Sequence, residues 1–206
     1  MLNSFSAAWN KLFSKHQSKY MSGLVTITEN DNAAKNKSLT IVCEEAVSFP
    51  SKQFDCYDLF SALTYRNCDS VLLIKNDEDS YDLVYIEMKS RFDSHECFEA
   101  KCQISETGAK MQSLFRMMKP YASLPIRKVF GVIEHLQLDE DQEDLWSKMQ
   151  QLPDNSLDFG WKLIKYGTVT SKTKLNPFFD MPDMMTFKIL LSDDAHYSIN
   201  YSELSK

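Results

Sequence analysis

The sequence predicts an α/β (α+β) fold, a central mixed β-sheet flanked by helices, and three observations carry that expectation. Short, strongly apolar runs such as "SVLLI" (70–74) and "RKVFGVIEHL" (127–136) read as buried strands. Between them, residues 97–119 carry an apolar stripe at helical spacing: Ile104, Met111, Leu114, Phe115 and Met118. Strand and helix patterns alternate along the chain, which is the mark of sheet and helices packed in layers. The 206 residues, 43% hydrophobic and 25% charged, suit one domain spanning 1–206 with an N-terminal helix and a C-terminal strand-rich extension.

The N-terminal stretch has Phe5, Trp9, Leu12 and Phe13 at helical spacing, as a packed amphipathic helix or as one that binds a partner. It has no continuous apolar core before a cleavage site, so it does not read as a signal peptide. No apolar run approaches the roughly 20 residues of a membrane span, which predicts no membrane partner. A short strand follows at 24–28, then the polar loop "ENDNAAKNKS", the strand "LTIVCEEAV" and a short helical or turn-rich segment, "FDCYDLFSALT". After "SVLLI" the polar turn "KNDEDSYD" leads into a second strand, 83–89, and the helix 97–119, which Pro120 stops. "DEDQEDLWSKMQQL" reads as a helix with carboxylates at its positive end. The remainder, with "WKLIKYGTVTS" and "TFKILLS", reads as strand-rich. "NPFFDMPDMM" (176–185) is either a cover for the sheet or a loop that inserts into a partner.

Five cysteines without a Cys-x-x-Cys pair and four scattered histidines argue against a zinc site and for reduced thiols in a cytoplasm. No glycine-rich phosphate loop, Gly-x-Ser-x-Gly elbow or His-Glu-x-x-His helix occurs.

Chemistry concentrates in "DLVYIEMKS" (82–90). The period of a strand is two, so Glu87 and Lys89 share a face, about 7 Å apart. Folding a hairpin about residues 78–79 sets Asp69, at the start of the first strand, opposite Glu87. Two carboxylates and an ammonium thus meet at one end of the hairpin. A hard divalent cation with oxygen ligands would relieve the repulsion between the carboxylates, and the ammonium could orient an attacking water or neutralise a phosphate. A cross-strand salt bridge is the plain alternative.

"CDSVLLI…YDLVYIEMKS" resembles the core of the PD-(D/E)xK, or restriction-endonuclease-like, nucleases: an Asp at the start of one strand and (D/E)-x-K at the end of the next. The resemblance implies Asp69 and Glu87 as metal ligands with the carbonyl of Met88, Lys89 as the catalytic lysine, and Mg²⁺ or Mn²⁺ as cofactor. The resemblance covers a core over about 40–135 and departs from the pattern at Cys68, where many members have proline. Many members add an earlier glutamate, a place that Glu44 or Glu45 could fill; only one of these strand neighbours can face the site. Some add a glutamine from the following helix, for which Gln112 stands, with a merely exposed side chain as the alternative. The resemblance implies a metal-dependent deoxyribonuclease, DNA being favoured over RNA, in phage defence, restriction or repair. The opposing expectation is a non-catalytic nucleic-acid-binding or assembly subunit that keeps the scaffold.

Net charge is −6, which argues against strong intrinsic binding to a polyanion and for help from a homodimer or a partner subunit. Residues 101–128 nevertheless hold six basic side chains and one acidic, Glu106. Lys110, Arg116 and Lys119 in that segment are the candidate phosphate contacts, against the alternative of a solvated helix face.

Overall fold

The computed structural model describes residues 1–13, 17–29, 33–49, 67–76, 80–90, 93–118, 124–136, 143–144, 147–148, 150–172 and 184–206, apart from the Arg116 side chain. Among them, eight strands form one mixed sheet: β1 (Lys19–Thr28), β2 (Ser38–Phe49), β3 (Ser70–Lys75), β4 (Tyr81–Lys89), β5 (Ile126–Leu136), β6 (Thr168–Lys172), β7 (Met184–Ser192) and β8 (His196–Asn200). Their spatial order is β1-β2-β3-β4-β5-β7-β6, with β8 pairing β2 in parallel. The helices are α1 (Leu2–Leu12), α2 (Ser94–Met117), α3 (Phe159–Tyr166) and the short α4 (Tyr201–Leu204). The expected α/β (α+β) architecture is therefore observed.

The β3–β4 hairpin is antiparallel with Ser70 opposite Ile86 and Lys75 opposite Tyr81. From β4 the chain crosses through α2 to β5, which pairs with β4 in parallel. Every residue of β4 except Lys89 is buried, as expected for a central strand covered on both faces. Odd-numbered β4 residues such as Leu83 and Tyr85 pack with α1, α2 and α3; even-numbered ones such as Val84 and Ile86 pack with Val25, Ile41 and Tyr201.

Helix α1 is packed, because Leu2, Phe5 and Trp9 are fully buried, while Leu12 is exposed and lies off that face. Trp9 meets Phe49 edge-on at 4.8 Å between ring centroids, and Phe5 meets Phe115 edge-on at 5.6 Å. Such pairs add to the burial of the rings themselves. Strand β1 starts five residues before the expected 24, its edge position leaving Lys19, Tyr20 and Leu24 exposed.

"WKLIKY" is helical rather than strand-like. Asp158 caps α3 by accepting the Trp161 N–H at 2.9 Å, and Gly167 closes it in the left-handed region at φ 70°. "TFKILLS" does form a strand, β7. The expected helix over 139–152 is helical at residues 143, 144, 147, 148 and 150 but not at 151 and 152, and its other residues lie outside the described ones. The segment 54–64, the tip of the 75–82 turn, Pro120 and residues 176–183 lie outside the described residues. Among the described residues no helix is long and apolar enough to cross a membrane.

Two glycines permit close approaches that hold α2 in place. A Cβ on Gly160 would stand 2.5 Å from Ser94 Cα, and one on Gly131 would stand 2.9 Å from Ile104 Cγ2 and 3.0 Å from Phe187 Cδ1. The first obstacle is backbone and the second is side chain. Gly160→Ala should therefore cost more than Gly131→Ala, with about 1–3 kcal/mol expected for the overpacking. Denaturant unfolding of the two variants measures the order, and the reverse order would contradict this packing.

Candidate functional site

The hairpin register places Asp69 one step beyond the Ser70–Ile86 pair, level with Glu87. Reciprocal hydrogen bonds tie the two ends together. The Asp69 N–H donates to Glu87 Oε2 at 3.1 Å, and the Met88 N–H donates to Asp69 Oδ2 at 2.8 Å. Lys89, on the same face as Glu87, sets its Nζ 3.2 Å from Glu87 Oε1. The three expected residues are thus brought together.

The following helix completes the surroundings. Lys89 Nζ also lies 3.5 Å from Glu96 Oε2 and donates to Gln103 Oε1 at 2.9 Å. Thr107 Oγ1 accepts the Cys68 N–H at 2.9 Å, which anchors the residue before Asp69 to α2. On the opposite sheet face, Asn36 Nδ2 donates to the Lys89 carbonyl at 3.0 Å and to Glu134 Oε2. Ser192 Oγ bonds the other Glu134 oxygen. Lys89 is therefore held from both faces, its ammonium by α2 and its carbonyl by Asn36.

Electrostatics at this spot are unusual for a carboxylate. Glu87 is only 4% exposed. Burial first, and Asp69 second, push its carboxyl from the ordinary 4.5 up to about 8, against the opposing pull of Lys89. Burial works against the charge on Lys89, but Glu87, Glu96 and Glu99 outweigh it and hold the ammonium above its ordinary range. His135, level with Lys89 on β5, is brought down to about 4 by burial and by Lys89, so its ring is neutral at physiological pH. Burial also raises the Glu134 carboxyl, with Asp69 adding to it.

Glu44 is displaced from the expected site. Ala46 pairs with Ile74, and Glu44 lies 3.6 Å from Lys75 Nζ, at the far end of β3. Six residues separate Lys75 from Asp69, about 20 Å of strand. Glu45 is beside it and partners the Tyr20 hydroxyl.

Gln112 is likewise replaced, by Gln103. Nine residues are two and a half helical turns, so the two side chains leave α2 in opposite directions. Glu96, Gln103 and Lys110 are seven residues apart in turn and form one polar line toward the sheet; that spacing was the available signal.

Lys110 does not offer a phosphate contact on a solvated face. It is 1% exposed and donates to Asn67 Oδ1 at 2.6 Å. Lys101, of the same basic segment, is buried and donates to Ser171 Oγ at 2.8 Å. Arg116 lies in α2, and Lys119 is outside the described residues.

Among the described residues, one group of three potential metal-ligating side chains lies within 4.8 Å: His95, Glu96 and Glu99, on the first turns of α2. No family model, curated protein or solved structure matches this chain.

The raised Glu87 carboxyl makes stability depend on pH. The folded state holds a proton that the unfolded chain loses above 4.5, so this contribution is full below 4.5 and is lost as pH rises through about 8. Every tenfold change in proton affinity between the two states corresponds to about 1.4 kcal/mol. Glu87→Gln should remove this component, so the thermal midpoint of wild type should fall relative to the variant between those values. Parallel midpoint-versus-pH curves would show that Glu87 ionises normally.

Proposed function

We propose that the chain is a metal-dependent nuclease of the PD-(D/E)xK type, hydrolysing DNA phosphodiesters with Mg²⁺ or Mn²⁺. One observation carries the reading: Asp69, Glu87 and Lys89 converge at the end of a buried hairpin through bonds of 3.2 Å or less. The donor set fits a hard cation. Two carboxylates are held side by side, and burial keeps Glu87 protonated up to about 8, a penalty that a divalent charge would remove. Asp69, Glu87 and the Met88 carbonyl would hold the ion. When bound, it would supply a Lewis acid next to the phosphate to be cleaved.

Lys89 is the catalytic side chain in this reading. Its ammonium remains charged and points along the face that carries Glu87, where it can orient a water or offset charge developing on the phosphate. Gln103 fixes the position of that ammonium. Asn36 fixes the backbone behind it through the Lys89 carbonyl. Cys43 and Cys97 carry no disulfide, which supports a cytoplasmic setting. Phage defence or restriction is the role that the resemblance implies.

A second reading has its own observation. Glu87, Glu96 and Gln103 all engage the Lys89 ammonium, an internally satisfied arrangement of the kind a structural ion cluster needs. Such a chain would be a non-catalytic scaffold that binds nucleic acid or a partner subunit.

Cleavage separates the two. Wild type should nick supercoiled plasmid with Mg²⁺ and stop with a chelator, and Lys89→Ala should lower the rate about a hundredfold or more while remaining folded. Asp69→Ala should abolish both cleavage and stabilisation by Mg²⁺. An absence of cleavage and of metal-dependent stabilisation in wild type, over a panel of DNA and RNA substrates, would leave the scaffold reading. Within the site, Gln103→Ala should slow cleavage and Gln112→Ala should not. The Mg²⁺-induced rise in midpoint should also be larger near pH 9 than near about pH 6, because the cation must displace the Glu87 proton.

A further inference from the structure

The opposite end of the sheet gathers cations in a concave surface. A groove of about 580 Å³ is lined by Lys75, Arg127, Lys128 and Lys206, with Glu44 as the one acidic side chain among its lining residues. An adjoining cavity of about 330 Å³ shares Lys128 and Lys206 and adds Lys188. Five basic side chains therefore border two neighbouring depressions on a chain whose net charge is −6.

The partners of these cations differ in kind. Arg127 is oriented by Asp82, with its terminal nitrogen 2.8 Å from Oδ2, and Lys75 meets Glu44. Lys128 and Lys188 instead donate to the backbone carbonyls of Ser205 and Leu204, at the end of α4, each at 2.9 Å, and Lys188 Nζ also lies 5.1 Å from the Phe130 ring centroid. A carbonyl satisfies a hydrogen bond but leaves the charge in place. The two ammoniums are close enough to feel each other: burial first, and Lys128 second, hold Lys188 below its ordinary range. An anion between them would relieve both effects.

Volume and shape select the ligand class. Small-molecule sites are concavities of about 300–1,000 Å³, whereas a nucleic-acid backbone is tracked by an extended basic stripe. Two cavities sharing Lys128 would accept two linked anionic groups. Asp82 and Glu87 are five residues apart on β4, about 16 Å, so one compact ligand cannot occupy both this groove and the Asp69–Glu87–Lys89 cluster.

We propose that the groove between Lys75, Arg127, Lys128, Lys188 and Lys206 binds a small molecule carrying two or more linked phosphoryl groups. The site is separate from the candidate nuclease centre and stands whether or not the chain cleaves nucleic acid.

Titration of the full chain with pyrophosphate, ADP and inorganic phosphate, followed by calorimetry and thermal midpoint in the presence of a chelator, tests this. Pyrophosphate and ADP should bind and raise the midpoint, more weakly at higher salt, and inorganic phosphate should bind less well than either. Lys128→Gln/Lys188→Gln leaves an N–H donor, one bond shorter, on each side chain but removes both charges; it should stay folded and weaken binding by at least about tenfold. The control pair Lys11→Ala/Lys19→Ala removes two exposed charges elsewhere and should bind as wild type does. The proposal is overturned if neither pyrophosphate nor ADP binds, if the glutamine pair binds them as wild type does, or if inorganic phosphate binds equally well. It is also overturned if the glutamine pair loses affinity only for DNA, which would make the groove a nucleic-acid surface.

Discussion

A carboxylate buried at the end of a central β-hairpin is the constraint around which this structure is arranged. The register fixes Asp69 level with Glu87, and a slip of one residue would turn Glu87 and Lys89 to the other face. In that position Glu87 loses most of its water, and an isolated buried charge is too costly to keep. Three devices make it tolerable: the Asp69 N–H, the Lys89 ammonium and retention of a proton. Helix α2 and the Asn36 segment then serve the same spot, one holding the Lys89 ammonium and the other its carbonyl.

Asp82, on the same strand, shows why Glu87 is different. Asp82 is completely buried, more so than Glu87. Burial raises its carboxyl too, yet Arg127, Tyr201 and Asn76 together hold it below the ordinary range. The Lys128 N–H also donates to it at 3.1 Å. Asp82 thus has a guanidinium in two-point contact and further donors, with no second carboxylate among the groups that shift it. Glu87 shares its one ammonium with Glu96 and faces Asp69. The first arrangement is complete as it stands, and the second gains from an added positive charge. That contrast in partners distinguishes a structural carboxylate from one suited to hold a cation.

Legibility in the sequence followed the physics of each element. The hairpin could be read because a period of two and a turn centred near 78 leave a single register that pairs Asp69 with Glu87. Helix α2 could be read as a helix, but its working face could not be chosen from closeness to apolar neighbours. Gln112 borders that stripe, yet Gln103 reaches Lys89, because the polar line of Glu96, Gln103 and Lys110 enters the sheet-facing side. "WKLIKY" alternates well enough to imitate a strand, and the decisive signals were its ends, Asp158 and Gly167. Glu134 and Asn36 gave no local sign, since their contact spans 98 residues and is made only by the folded sheet.

Charge counted along the chain misled for a related reason. The six basic residues of 101–128 look like one patch, but α2 and β5 send four of them to different places. Lys101 and Lys110 are buried under the sheet, while Arg127 and Lys128 open into the groove at its far end. The fold thereby separates two chemistries along β4: carboxylates gather where the strand ends, and ammoniums and a guanidinium where it begins. They also face opposite ways, because Asp82 and Glu87 differ by an odd number of residues. Asp82 ties Arg127 and Tyr201 of the groove to the strand that carries Glu87 and Lys89.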